Sequence, residues 1–194
     1  MAISSDPVER FDRLLKSSTF LFLLYYRGHW CPFCIAHLKE LAALAKDINA
    51  AGGTVVAVTA EAGPEALAKV RALTGLADEH EVIVDPENAL ATELRRRGLL
   101  DVAVSDSQLY RLRGYKHGMA QPALLVVKSD GTVLQRWAIK PSLMNLGGAS
   151  DRPVLDDVWK KVEKQLQGVD AGDSEQYTTT GVFHLLAQKM VGSK

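Results

Sequence analysis

A chain of 194 residues and 21.2 kDa suits a single domain and buries roughly 70% of its unfolded surface, enough for a substantial core. Apolar residues at 47% and charged residues at 24% exclude a disordered or collagen-like chain. With 23 Lys and Arg against 23 Asp and Glu, the formal net charge of zero argues against a nucleic-acid protein that works through a global positive field. Two cysteines are too few for a disulfide-stapled secreted scaffold, and both fall in one tetrapeptide, Cys31-Pro32-Phe33-Cys34.

In chain order, the opening Met-Ala-Ile-Ser-Ser-Asp-Pro lacks the basic and apolar regions of a secretory signal. The longest strongly apolar run, Phe20 to Tyr26, falls well short of the ~20 residues of a membrane helix. These features predict a soluble, cytoplasmic chain. Asp6-Pro7-Val8-Glu9 reads as a capped helix start, with Val8, Phe11 and Leu15 on one face of a short N-terminal helix, 7–16, that ends near Ser17. Thr19 to Tyr26 is apolar throughout and predicts a strand buried on both faces. Cys31 to about Ala50 predicts a helix, with Ile35, Leu38, Leu41, Ala45 and Ile48 at helical spacing. Val55 to Thr59 is the next strand, followed by a helix from Gly63-Pro64 that stops at Gly75.

Val82 to Val84 is a short buried strand, and Asp85-Pro86 caps a helix carrying Leu90 and Leu94. Leu99 to Gln121 reads as polar and irregular. Ala123–Lys128 and Thr132–Ile139 read as a hairpin about Ser129-Asp130-Gly131, and Pro153 to Gln167 as a last helix. The tail, 169–194, is polar except for an apolar cluster at 182–186. Strands alternating with helices predict an α/β fold: one domain over 1–194 with its core at about 15–168, a mostly parallel sheet edged by the antiparallel hairpin, and helices on both faces.

A Cys-x-x-Cys pair at the first turn of a helix has a physical logic. Unpaired N–H groups and the positive helix end stabilise a thiolate at the first cysteine and lower its pKa. The second cysteine, three residues on, lies on the same side and can close an internal disulfide. Pro32 suits the first helical position because it has no N–H to leave unpaired. Cys31 is therefore the attacking thiol and Cys34 the resolving thiol. Two other readings stand beside this one: zinc ligands, with His29 and His37 near but no second Cys-x-x-Cys, and inert core thiols.

Trp30-Cys31-Pro32-Phe33-Cys34 at a strand-to-helix turn resembles the thioredoxin-fold redox motif. Tyr26-Arg27-Gly28-His29-Trp30-Cys31-Pro32-Phe33-Cys34, followed by Leu38 and Leu41, resembles more closely the peroxiredoxin-like branch of the AhpC/TSA family. Asp85 to Leu99 and Pro122 to Gly131 resemble later blocks of these families, so the likeness covers about residues 15–165. It implies a thioredoxin-like fold and a thiol-dependent oxidoreductase. It further implies a cis bond at Gln121-Pro122 beside the cysteines, where the backbone pairs with a bound substrate. No metal or separate cofactor is implied: the redox group is the Cys31–Cys34 disulfide, with electrons from glutathione or a thioredoxin system. The implied partners are a thiol, disulfide or hydroperoxide substrate and a second copy of the chain, with neither nucleic acid nor membrane.

The chain also departs from these patterns. Typical peroxiredoxins place Thr or Ser three residues before the reactive cysteine, where this chain has Gly28. Their late-strand arginine corresponds to a place close to Pro122, and the buried acid of thioredoxins to Tyr25. Arg27 stands either as a replacement donor or as a solvated strand-end residue. His29 is either a proton partner of Cys31 or an exposed loop residue. Trp30 packs beneath the site, and His37 reads as a surface helix residue. The basic, aromatic segment Tyr110 to His117 should end near the cysteines, there to bind an acidic partner such as glutathione or to form an insertion or dimer contact. Three functions follow in order: a thiol–disulfide oxidoreductase, a thiol peroxidase acting through a Cys31 sulfenic acid, and a non-catalytic binding module.

Overall fold

The computed structural model describes residues 6–77, 80–142 and 152–172, with the backbone of 175–178. The first five residues and the apolar cluster at 182–186 lie outside them. Helix α1 spans Pro7–Ser17, and the Asp6 carboxylate accepts from the Val8 and Glu9 N–H groups, both at 2.9 Å. Strand β1, Phe20–Tyr25, is buried at every position, as its unbroken apolar run requires. Helix α2, Pro32–Ala50, follows, then β2, Gly53–Thr59, and α3, Pro64–Thr74, which ends on Gly75 in the left-handed conformation.

Strand β3, Glu81–Val84, leads to α4, Ala89–Arg96. The Asp85 carboxylate caps α4 from four residues ahead, accepting from the Ala89 and Leu90 N–H groups at 2.9 Å each. The stretch read as irregular holds three short elements: β4, Val104–Ser105, α5, Gln108–Leu112, and β5, Met119–Ala120, which pairs antiparallel with β4. Strands β6, Ala123–Lys128, and β7, Val133–Ile139, form the hairpin, α6 spans Leu155–Leu166, and β8 covers Glu175–Thr178.

The main sheet has the order β3-β2-β1-β6-β7-β8. The β1–β2, β2–β3 and β7–β8 pairs are parallel, and the β1–β6 and β6–β7 pairs antiparallel. The hairpin therefore does not form the edge. Strand β6 pairs with β1 inside the sheet because Ala123 to Val127 are apolar and buried, while the polar segment that forms β8 lies outermost.

Alternation along β1 divides the core between the two faces of the sheet. Phe20, Phe22, Leu24 and Tyr26 pack with Leu38, Leu41 and Ile48 of α2 and Val158, Trp159 and Val162 of α6. Leu21, Leu23 and Tyr25 pack instead with Phe11 of α1 and Leu90 and Leu94 of α4. The two cysteines belong to the first of these clusters, and Tyr25 to the second.

Candidate active site

The parallel strands β1 and β2 end side by side, and the carboxyl ends of such strands are where α/β sheets present ligand sites. The Tyr26 N–H donates to the Val58 carbonyl at 2.9 Å and carries the pairing one residue past β1. The chain then turns through 27–31 into α2. Cys31 is the N-cap of that helix and Pro32 its first residue, so the sulfur sits at the positive end of a 19-residue helix. The Cys34 N–H donates to Cys31 Sγ at 3.4 Å. Both cysteines are free thiols, 2% and 1% exposed.

Their environments separate the two thiols. Cys31 is drawn down to about 6, first by the hydrogen bond from the Cys34 thiol. The Cys34 N–H and the Arg152 and Arg27 charges lower it further, while burial opposes them. Cys34 moves far upward, first because its thiol donates to Cys31, then through burial and the Cys31 charge. The pair at rest is thus a Cys31 thiolate held by a Cys34 thiol.

Arg27 is only 7% exposed, which corrects the reading of a solvated strand-end arginine. Its Nε and Nη2 donate to Gln121 Oε1 at 2.9 and 2.6 Å, because a buried guanidinium needs acceptors close by. Gln121 and Pro122 are themselves buried, and the peptide between them is trans, which corrects the cis expectation. The Gln121 N–H donates to the Ala103 carbonyl at 2.8 Å and the Ile139 N–H to the Pro122 carbonyl at 3.1 Å, so the chain runs extended from β5 into β6 with the ordinary peptide geometry.

His29 donates from its backbone N–H to Glu61 Oε2 and from ring Nδ1 to Glu61 Oε1, each at 2.8 Å. Trp30 is half-buried: its indole N–H donates to the Tyr115 hydroxyl at 2.9 Å, and the Arg113 guanidinium lies 4.7 Å from its ring centre. The Tyr115 hydroxyl in turn donates to the Arg27 carbonyl at 2.8 Å. The segment 110–117 does end at the site, as its position ahead of β6 suggests, and Tyr115 anchors it there. Between it and α3 lies a cleft of about 460 Å³ lined by His29, Glu61, Gly63, Lys69, Arg113 and Tyr115 among others.

A side chain at position 28 has no room. A Cβ on Gly28 would stand 2.6 Å from the Tyr115 hydroxyl, 2.7 Å from Trp30 Nε1 and 2.8 Å from Glu61 Cδ. A Thr or Ser at this position would therefore collide with the Tyr115 hydroxyl.

His37 is not a surface residue. It is 3% exposed, because the segment leading into α6 covers it, and its Nε2 donates to the Pro153 carbonyl at 3.1 Å. Burial, with the nearby Arg152 charge, drops its pKa to about 4 and keeps it neutral. On the same side, Arg152 Nη2 approaches Cys34 Sγ to 3.6 Å. Glu61, Tyr115 and Arg152 are the site residues that sequence reasoning passed over. Each comes from a segment remote from the cysteine motif, and only Tyr115 carried a signal, as an aromatic in the basic segment. Among the described residues, no three of His, Cys, Asp and Glu are grouped as metal ligands, and no helix is long and apolar enough to cross a membrane.

Comparison with curated proteins returns no match. Among solved structures, peroxidoxin BcpB of Mycobacterium tuberculosis is similar at 15% identity, with a TM-score of 0.54 over 82% of this chain and 84% of that one. A mutant peroxiredoxin 6 of Arenicola marina is similar at 16% identity and a TM-score of 0.57, over 80% of this chain and 64% of that one. The bacterioferritin comigratory protein of Xanthomonas campestris, described for its alkyl peroxide reduction activity, is similar at 15% identity and a TM-score of 0.52, over 78% of this chain and 82% of that one. These likenesses show a thioredoxin-type fold shared with peroxiredoxins. Residues 10–136 match the AhpC/TSA family. On that evidence the chain belongs to the AhpC/TSA family and is a thiol-dependent oxidoreductase.

Proposed function

We propose that the protein reduces disulfides by thiol–disulfide exchange through the Cys31–Cys34 couple. The observation that carries this reading is the resting pair itself: a Cys31 sulfur at a helix start, receiving hydrogen bonds from the thiol and backbone of Cys34, with its pKa at about 6. Near neutrality Cys31 is already a thiolate, the form that attacks disulfides, while Cys34 keeps its proton until it is needed. The Cys31 thiolate forms a mixed disulfide, and Cys34 then displaces the second half of the substrate and closes the internal disulfide. A donor thiol, from glutathione or a thioredoxin system, restores the dithiol. The near-complete burial of both sulfurs favours small or extended substrates over folded protein surfaces. Gln121 serves the site through the bonds that hold Arg27, and Pro122 carries the chain from it into β6.

A second reading, a thiol peroxidase, is favoured by the family match and by the two cations, Arg152 and Arg27, that act on Cys31. Here the Cys31 thiolate attacks one peroxide oxygen, the O–O bond breaks, water leaves and Cys31 becomes a sulfenic acid, and Cys34 then condenses with it to form the disulfide and release a second water. Side-by-side turnover on a glutathione mixed disulfide and on hydrogen peroxide separates the two. The dithiol reading expects turnover on the disulfide, its loss in Cys31→Ser, and a trapped mixed disulfide in Cys34→Ser. Rapid oxidation by micromolar peroxide without any disulfide turnover would hand the assignment to the peroxidase.

A further inference from the structure

Helix α2 presents Cys34, His37 and Glu40 at intervals of three, which places them along one face. The chain entering α6 is fastened to that face twice. His37 Nε2 donates to the Pro153 carbonyl at 3.1 Å, and the Leu155 N–H donates to Glu40 Oε2 at 3.2 Å. Arg152 precedes this fastened stretch. Its guanidinium lies 5.8 Å from the centre of the Phe33 ring and brings Nη2 to 3.6 Å from Cys34 Sγ. A permanent cation is thereby held against the sulfur that must become the second nucleophile. Arg152 lies beyond the residues that match the family, 10–136.

We propose that Arg152 is a catalytic residue of the resolving step, its guanidinium stabilising the Cys34 thiolate as that sulfur attacks the Cys31 mixed disulfide. The proposal rests on the dithiol reading above. In the first step the Cys31 thiolate attacks a substrate RS–SR, forming Cys31–S–S–R and releasing RS⁻. In the second, Cys34 loses its proton to water and its thiolate attacks Cys31 Sγ. The Cys31–SR bond breaks, the second RS⁻ leaves, and two electrons have passed from the cysteines to the substrate.

At rest the Cys31 thiolate is the main reason that Cys34 stays protonated. Mixed-disulfide formation removes that negative charge. Arg152 and the Arg27 backbone, both of which lower Cys34, then act against burial alone. The order of events follows from this: Cys34 becomes a nucleophile only after Cys31 has been used.

Stopped-flow reaction of the reduced protein with dithiodipyridine tests the assignment. This disulfide is neutral, so loss of Arg152 does not alter substrate attraction, and each thiopyridone released is seen by its absorbance. Wild type should release one equivalent as Cys31 attacks and a second as Cys34 resolves, and Cys34→Ser should release only the first. In Arg152→Gln the second phase should slow by about tenfold or more, as expected for loss of a hydrogen bond to a charged group, with the first phase less affected. Arg152→Lys should recover much of the second phase, which a purely structural role would not produce. A second phase unchanged in Arg152→Gln, or equal slowing of both phases in Arg152→Gln and Arg152→Lys, would overturn the role of Arg152. Release of a single equivalent by wild type would overturn the dithiol reading itself, and the proposal with it.

Discussion

At the residue scale one sulfur decides the chemistry. Cys31 at about 6 stands well below the ordinary thiol value near ~8.5, and the Cys34 thiol is its first cause. The rate of alkylation of Cys31 by iodoacetamide should therefore rise with a midpoint near 6 and level off by neutrality. In Cys34→Ala the midpoint should move up toward the ordinary value, and a wild-type midpoint already near ~8.5 would contradict the hydrogen-bonded thiolate. The stability that accompanies this shift has a defined sign. The folded pKa lies below the unfolded one, so the contribution is complete above the unfolded value and is lost as pH falls through 6. Gly28 is the second decisive residue, since a Cβ there would fall 2.6 Å from the Tyr115 hydroxyl and 2.7 Å from Trp30 Nε1. Gly28→Thr should cost about 1–3 kcal/mol in urea unfolding, the range for overpacking a filled site, and should slow disulfide exchange. A neutral substitution with faster peroxide reduction would show that the peroxiredoxin hydroxyl still has a place here.

At the scale of elements, α2 links the cysteine pair to the rest of the fold. Its first residues present the sulfurs, and its next turn holds the stretch before α6 through His37 and Glu40. His37 has its pKa lowered to about 4 by burial, against 6.5 for a free histidine. As pH falls from 6.5 to 4 the unfolded chain binds a proton that the folded chain refuses, so stability falls through this window, by up to about 3 kcal/mol. Chemical denaturation at pH 7 and at pH 4.5 checks the sign, and His37→Gln should reduce the difference, leaving the part that Cys31 contributes. A His37→Gln profile as steep as wild type would place the acid sensitivity elsewhere.

The long elements were legible because their patterns are local. The apolar run of β1, the helical spacing of α2 and the turn between β6 and β7 each sit within a few residues of their cause. Strand β8 was not, because its polar segment pairs with β7 only in the assembled sheet. His37 read as a surface residue for a similar reason, since the chain that covers it lies more than a hundred positions away.

Across the whole molecule, the site gathers what the chain keeps apart. Cys31, Pro32 and Cys34 could be named from their spacing alone, and the structure places them at the head of α2. Their supports come from the end of β2 with Glu61, the segment after α5 with Tyr115, the entry to β6 with Gln121, and the entry to α6 with Arg152. Tyr115 stood out as an aromatic in the basic segment and Gln121 through the family resemblance, whereas Glu61 and Arg152 carry no local signal, because each is defined by a contact across the fold. The cis bond carried over from the resemblance failed, since the Gln121-Pro122 peptide is trans within an extended run, and so did the local reading of Arg27 as a solvated strand-end residue, since it is buried against Gln121. The central claim is that Cys31 and Cys34 form one two-electron couple. Its most direct test is mass analysis of the tryptic peptide 28–39, which holds both cysteines, after the reduced protein has reacted with one equivalent of a small disulfide. This peptide should become lighter by two hydrogens, be restored by dithiothreitol, and show no change in Cys31→Ser. A lasting adduct on Cys31 in the wild-type peptide, with Cys34 still a free thiol, would contradict it.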